Sequence, residues 1–391
     1  MPDPTRRINL DYAGGTPLLP EVQQVMAPWL DRVGNPSSLH AAGREAKRAL
    51  EWARQQTAQL IGAAPDEICF TSCGSESNAW AIKGLLQANA RQGRHLIVSA
   101  IEHPSVLLTA RRLERDGWDV AYLPVTPEGL VEPSTLKDAL KPETALVSIM
   151  HANGEIGTIQ PITELAAIAR EAGALFHTDA VASVGHWPVT ARAWRVDALS
   201  LAANQFYGPA GAAALYVREG ARILPLIDGG GQETGARSGT EALLPLIGMG
   251  RAAELARERL SERIAQTNRL RDRLKDGIMG RAESLRLNGS WTARLPHNLH
   301  VCVTGVSSES LVLGLDQAGL AVGIGSACNS KAMRPSHVLK AIGLTEAQAQ
   351  GALLLTVGEP TTEAEIDQAL ERLPDVVAKL RAVTALTMAR R

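Results

Sequence analysis

Cysteine is scarce: Cys69, Cys73, Cys302 and Cys328 are the only four in 391 residues. That is too few for a disulfide scaffold, and a reducing cytoplasm is the expected setting. Neither sign of charge dominates, with 40 basic against 41 acidic residues and a formal net charge of −1. Without a basic excess to meet a phosphate backbone, nucleic-acid binding is not expected. No apolar run is long enough to span a bilayer, and the opening MPDPTRRINL has no apolar signal core, so neither membrane insertion nor secretion is expected. Internal repeats and low-complexity stretches are also lacking.

What is present is the composition of an ordinary soluble enzyme, 45% hydrophobic and 21% charged. The chain is too long for one compact core, so a second domain is expected. Short apolar runs at 95–100, 118–125, 144–150 and 173–179 read as strands, and amphipathic stretches between them read as helices. Such alternation predicts βαβ crossovers, an α/β fold and a mostly parallel sheet buried on both faces. A long arginine-rich helix is predicted over roughly 241–280, followed by mixed strands and helices. The expected division is a large α/β domain over 16–255 and a smaller α+β domain formed by 1–15 and 256–391.

In parallel sheets, functional residues collect on loops after the strand carboxyl ends. Four such places carry chemistry. TSCGSES (71–77) is a strand end, a small-residue turn and a helix start, which makes an anion site or a helix start capped by Ser75. FHTDAV puts Asp179 straight after a buried strand, either to pair with a protonated ring nitrogen or to close a turn. His103, before a proline, can stack on a flat cofactor, move protons, or decorate a surface loop. Cys328 sits in a Gly/Ser-rich loop suited to an exposed thiol, whereas Cys302 lies in the apolar run LHVCVT. The glycines at 229–231 do not follow a strand and open a helix, so they are no dinucleotide fingerprint.

Taken in order, LDYAGGTP (10–17), GNPSSLH (34–40), FTSCGSES, EHP, ANGEIGTIQP, HTDAV, FYGPAG, GGGQETGARSGTE (229–241), GSACNS and PSHVLKAIG resemble the cysteine desulfurases. These are fold-type-I enzymes of the class V aminotransferase group that use pyridoxal phosphate (PLP) and act as homodimers. The resemblance runs from about residue 8 to residue 375. It implies that Gly74 and Ser75 hold the cofactor phosphate, His103 stacks on its ring, and Asn153 faces cofactor and substrate. Asp179 would pair with the ring nitrogen, Thr240 would reach a partner subunit's phosphate, and Cys328 would take sulfur from L-cysteine as a persulfide.

The sequence departs from that pattern where the chemistry is hardest. The lysine that tethers the cofactor is Gln205, whose delocalised amide nitrogen can neither bond to an aldehyde carbon nor move the substrate Cα proton. The family's Ser and His just before it are Ala202 and Asn204, and its Gln three residues after the Asp is Ala182. The carboxylate-binding Arg position is Glu359. At an effective dielectric near 20, unit charges about 4 Å apart interact by about 4 kcal/mol, so that reversal is expected to penalise an amino-acid carboxylate. Cys73 stands where the family has a small residue such as glycine.

The expectation is a desulfurase-like protein of sulfur or iron–sulfur metabolism that no longer performs ordinary PLP-dependent desulfuration, holding PLP at most non-covalently. Its Cys328 would carry a persulfide, ligate a metal or iron–sulfur cluster, or serve a sulfur-acceptor or scaffold partner. One alternative is an active cysteine desulfurase in which another lysine substitutes, Lys331 before Lys83. Another is a remodelled metal site from Glu359, His103, Cys73 and Cys328, although no CxxC spacing supports it.

Overall fold

The computed structural model describes residues 7–280, 285–325 and 336–388. Its strands, in chain order, are β1 (Ile8–Leu10), β2 (Ile68–Thr71), β3 (His95–Ser99), β4 (Asp119–Leu123), β5 (Thr144–Ser148) and β6 (Leu175–Asp179). They continue with β7 (Ala198–Ala202), β8 (Ala213–Val217), β9 (Leu285–Leu287), β10 (Asn298–Val303), β11 (Leu320–Val322) and β12 (Ala352–Thr356). Seven form one sheet in the order β2-β8-β7-β6-β5-β3-β4. The run from β7 to β4 is parallel, as the alternation of apolar and amphipathic segments predicts. β8 alone is antiparallel, inserted between β2 and β7.

Both faces of this sheet are covered. In β3, Leu96 and Val98 enter one core with Trp80, Leu85 and Leu215, while Ile97 enters the other with Phe176, Leu199 and Leu201. That period of two, apolar on both sides, is why these strands read as continuous hydrophobic runs.

The helix Leu243–Met279 is 37 residues long, about 55 Å. Its first half puts Leu246, Met249, Ala252 and Ala256 into the large core, and its second half puts Leu270, Leu274 and Ile278 into another. It lies hard against the helix Ala41–Leu60 at Gly250, where a Cβ would fall 2.6 Å from the Ala53 Cα. The second core belongs to the antiparallel sheet β12-β10-β9. β1 pairs in parallel with β11, and Asp11 bridges to Thr356, so the first described residues are stitched to the last strand. No helix among the described residues is long and apolar enough to cross a membrane.

Candidate active-site cleft

The carboxyl ends of β2, β3, β5, β6 and β7 open into one cleft of about 420 Å³, closed on its far side by β11, β12 and the segment after β1. Gly74, Ser75, His103, Asn153, Asp179 and Gln205 all line it. So do Asp11, Glu102, Glu155 and His297, which sequence reasoning did not single out.

The anion-binding corner is the start of the helix Gly74–Ala88, with Cys73 as its extended N-cap. A Cβ at residue 74 would lie 2.7 Å from the Val181 Cγ2, so glycine lets the turn close on the loop after β6 without displacing that side chain. Glu76 braces the turn from behind: Oε2 accepts from the Ser72 amide at 2.8 Å and Oε1 from the Arg237 Nε at 2.9 Å. The leading N–H groups of this helix are thereby aimed at the cleft, where the helix dipole favours an anion.

One turn down the same helix, the Asn78 Nδ2 donates to the Asp179 Oδ2 at 2.6 Å and to the Ser105 Oγ at 3.0 Å. Ser105 in turn meets the His103 Nδ1, 2.7 Å from its hydroxyl and 3.1 Å from its amide. The amide donates, so Nδ1 is an acceptor and the neutral ring carries its proton on Nε2. Asp179 also accepts from the Val181 amide at 3.0 Å. Burial raises its carboxyl above the usual range, against the pull of nearby His103 and these hydrogen bonds. Asn78 thus couples the acid to the imidazole, a link invisible in sequence because 101 residues separate Asn78 from Asp179.

At the floor, the Gln205 Nε2 donates to the Ala13 carbonyl at 3.2 Å. The Gln205 carbonyl accepts from the His186 Nε2 at 2.6 Å, and the His186 ring lies against His297 with centroids 4.1 Å apart. Ala182, Ala202 and Asn204 line the same end, and no lysine or arginine lines the cleft among the described residues.

Asn153 borders the cleft, but its amide is occupied in its own loop. Nδ2 donates to the Ile101 carbonyl at 2.9 Å, and Oδ1 accepts from the Glu155 and Ile156 amides. Glu155 accepts from the Ser336 Oγ at 2.7 Å, and burial pushes its carboxyl up to about 7. The His300 Nε2 lies 3.9 Å away with its ring pushed down to about 3, so an uncharged imidazole faces Glu155 and the contact is no ion pair at neutral pH.

Glu102 is fully buried and pushed up to about 8, while Oε1 accepts from the Ser99 Oγ at 2.5 Å and the Met150 amide at 2.9 Å. Between the ordinary value of 4.5 and about 8, the folded protein keeps a proton that the unfolded chain releases. Stability therefore falls as pH rises through that window. Glu102→Gln keeps both accepted bonds and removes the dependence. In thermal scans its advantage over the wild type should be small at pH 5 and grow to about 2–5 °C at pH 9. A constant offset across that range would contradict the assignment.

Glu359 does not line the cleft. Its Oε1 accepts from the Arg259 Nη1 at 2.9 Å, and Oε2 from the Arg263 Nε and Nη2 at 3.1 and 2.6 Å. The expected reversal of charge at an amino-acid carboxylate is therefore corrected: two guanidiniums from the long helix compensate it. Nor does Glu359 join His103 and Cys73 in a metal site; among the described residues no group of three His, Cys, Asp or Glu side chains is placed to hold an ion. Thr240 is exposed and away from the cleft of its own chain. Cys328 and Lys331 lie outside the described residues.

These residues fit part of PLP. The Gly74 turn that a Cβ would fill suits the phosphate, Asp179 suits a protonated ring nitrogen, and His103 is at hand for the ring. Gln205 presents an amide, which cannot itself form a covalent link to the cofactor's aldehyde, and no lysine lines the cleft among the described residues.

Comparison with known proteins agrees with the architecture. Residues 8–368 match the family model described as Aminotransferase class-V. The cysteine desulfurase IscS of Dictyoglomus turgidum is 47% identical over 97% of this chain and 96% of its own length. That of Methanosarcina thermophila is 43% identical over 98% and 95%. A solved NifS-like protein superposes with a TM-score of 0.90 at 34% identity, covering 96% of this chain and all of that one. With the large, mostly parallel sheet carrying this cleft at its strand carboxyl ends, the chain belongs to the cysteine desulfurase family of class-V aminotransferases, α/β proteins of PLP fold type I.

Proposed function

We propose that this protein acts in sulfur metabolism as a desulfurase-fold member that holds the B6 cofactor without a covalent tether and does not release sulfur from L-cysteine by the lysine-dependent route. The observation that carries this reading is Gln205 on the cleft floor, hydrogen-bonded to the Ala13 carbonyl, with no lysine lining the cleft among the described residues. PLP, when bound, supplies an electron sink for negative charge at a substrate Cα. The N–H groups at Gly74 and Ser75 would hold its phosphate, Asp179 would keep a proton on its ring nitrogen, and His103 would cover the ring. A homodimer would bring Thr240 of a second copy toward the phosphate. Cys328 would remain as a sulfur-carrying thiol for a sulfur-acceptor or iron–sulfur scaffold partner.

The test is direct. Protein incubated with PLP and reduced with borohydride should show no added cofactor mass, and L-cysteine should release no sulfide. A second reading is favoured by the 40–47% identity to proteins named as cysteine desulfurases. In it Lys331, three residues beyond Cys328, supplies the amine. A borohydride-fixed cofactor mapped to Lys331, with sulfide release lost in Lys331→Ala, would establish that reading and overturn the first.

A further inference from the structure

We propose that Arg237 is a positioning residue for the cofactor phosphate: acting through Glu76, it cancels the carboxylate built into the anion-binding turn and so lets that corner accept a phosphate. This rests on the reading that the Gly74–Ser75 turn holds the cofactor phosphate. No lysine or arginine lines the cleft among the described residues, so neither answers that charge from inside. Glu76 is the third residue of the helix Gly74–Ala88, directly after Ser75. Its Oε2 accepts from the Ser72 amide at 2.8 Å and from the Ser72 hydroxyl, the bonds that close the turn. Burial pulls its carboxyl up, but Arg237 and the Ser72 bonds outweigh that and hold it below the usual range, so it is ionised at neutral pH. A bare carboxylate beside an anion site repels the ligand that the helix end attracts.

Arg237 meets that charge from the far side of the turn. Its Nε donates to the Glu76 Oε1 at 2.9 Å and its Nη2 to the Oε2 at 3.4 Å. The two side chains are 20 and 12% exposed, so water screens the pair only in part. Arg237 lines a small hollow with Ser72 and Glu233, while Cys73, Gly74 and Ser75 face the cleft. It therefore leaves the space over the turn open. Its loop is firmly held. Four residues earlier, the Glu233 carboxylate accepts from both Arg54 Nη groups at 2.7 Å and from the Phe70 amide at 2.9 Å. Glu233 and Thr234 have φ of 47° and 55°, left-handed conformations that such residues keep only where the surroundings enforce them. That anchoring fixes the point from which Arg237 reaches Glu76.

The experiment is calorimetric titration of the full chain with pyridoxine 5′-phosphate and with pyridoxine. Neither probe has an aldehyde, so no adduct forms, and the ratio of their affinities reads the phosphate alone. A unit charge gained or lost beside a phosphate in a site open to water is worth roughly tenfold. Arg237→Met should cut the preference for the phosphorylated probe at least about tenfold, and Arg237→Lys should keep most of it. Glu76→Gln keeps an acceptor for Ser72 and removes the charge, so the preference should rise, by roughly threefold or more. The double variant Arg237→Met, Glu76→Gln should return close to the wild type. A brace that served shape alone would be lost in Glu76→Gln and lost again in the pair. The loss in Arg237→Met should also shrink as salt is added. A preference unchanged by Arg237→Met, a fall in Glu76→Gln, or a double variant no better than Arg237→Met would overturn the inference. Glu76→Gln and Arg237→Lys carry the test if Arg237→Met does not fold. A wild-type chain that binds the two probes equally, or neither, would instead defeat the reading beneath it, so the two failures are distinguishable.

Discussion

Glu359→Arg, which restores the family's charge at that position, should destabilise the fold and confer no affinity for L-cysteine. The Arg263 side chain is 1% exposed, its Nη1 donates to the Gly185 carbonyl at 2.7 Å, and its guanidinium lies over the Tyr207 ring. Glu359 is its only carboxylate partner within ion-pairing reach among the described residues, and it also engages Arg259. Removing one member of a buried pair costs about 3–5 kcal/mol, and here a third guanidinium would be pressed against the other two. A fall in thermal midpoint of roughly 5–10 °C is expected. Glu359→Gln keeps the hydrogen-bond acceptor and should cost less than half as much. An arginine variant with an unchanged midpoint and new cysteine binding would show that the arginine pair does not hold residue 359 away from the cleft.

Gln205→Lys should gain the cofactor and still fail as a catalyst. The lysine would extend from the cleft floor into a space of about 420 Å³, so a borohydride-fixed adduct at residue 205 is expected. Sulfide release should nevertheless stay at least about 100-fold below that of a variant also carrying Ala182→Gln, Ala202→Ser and Asn204→His, since each missing polar contact is worth roughly tenfold. Groups acting on one reacting centre do not add independently. Full activity from the single change would mean that the neighbouring substitutions are passive.

Much of the fold is legible in the sequence. The strand runs at 95–100, 144–150 and 173–179 are apolar on both faces, and buried parallel strands are the one element that writes itself so plainly. Loops after those strands gave His103 and Asp179, and the turn after β2 gave Gly74. What stayed hidden depends on distance in sequence. Asn78 sits in an ordinary amphipathic helix, and nothing local says that it bridges Asp179 and Ser105. The surroundings of Glu359 resist a local reading because its partners, Arg259 and the buried Arg263, lie on a helix about 100 residues earlier. Glu102 follows β3 like any loop carboxylate, and only packing shows it fully enclosed. The antiparallel insertion of β8 was likewise unwritten, since a strand's direction is set by its connections and not by its residues.

The pairing of β1 with β11 carries a consequence for biosynthesis. Ile8–Leu10 leaves the ribosome well before the strand that completes it, Leu320–Val322, which emerges some three hundred residues later. At roughly 5–20 residues per second that is a wait of about 15–60 s. Ala13 and Gly14, which form part of the cleft wall, hang from that first strand. Nascent chains can therefore close the seven-stranded sheet while their binding chamber still lacks a side, and ligand capture is deferred until β11 has emerged.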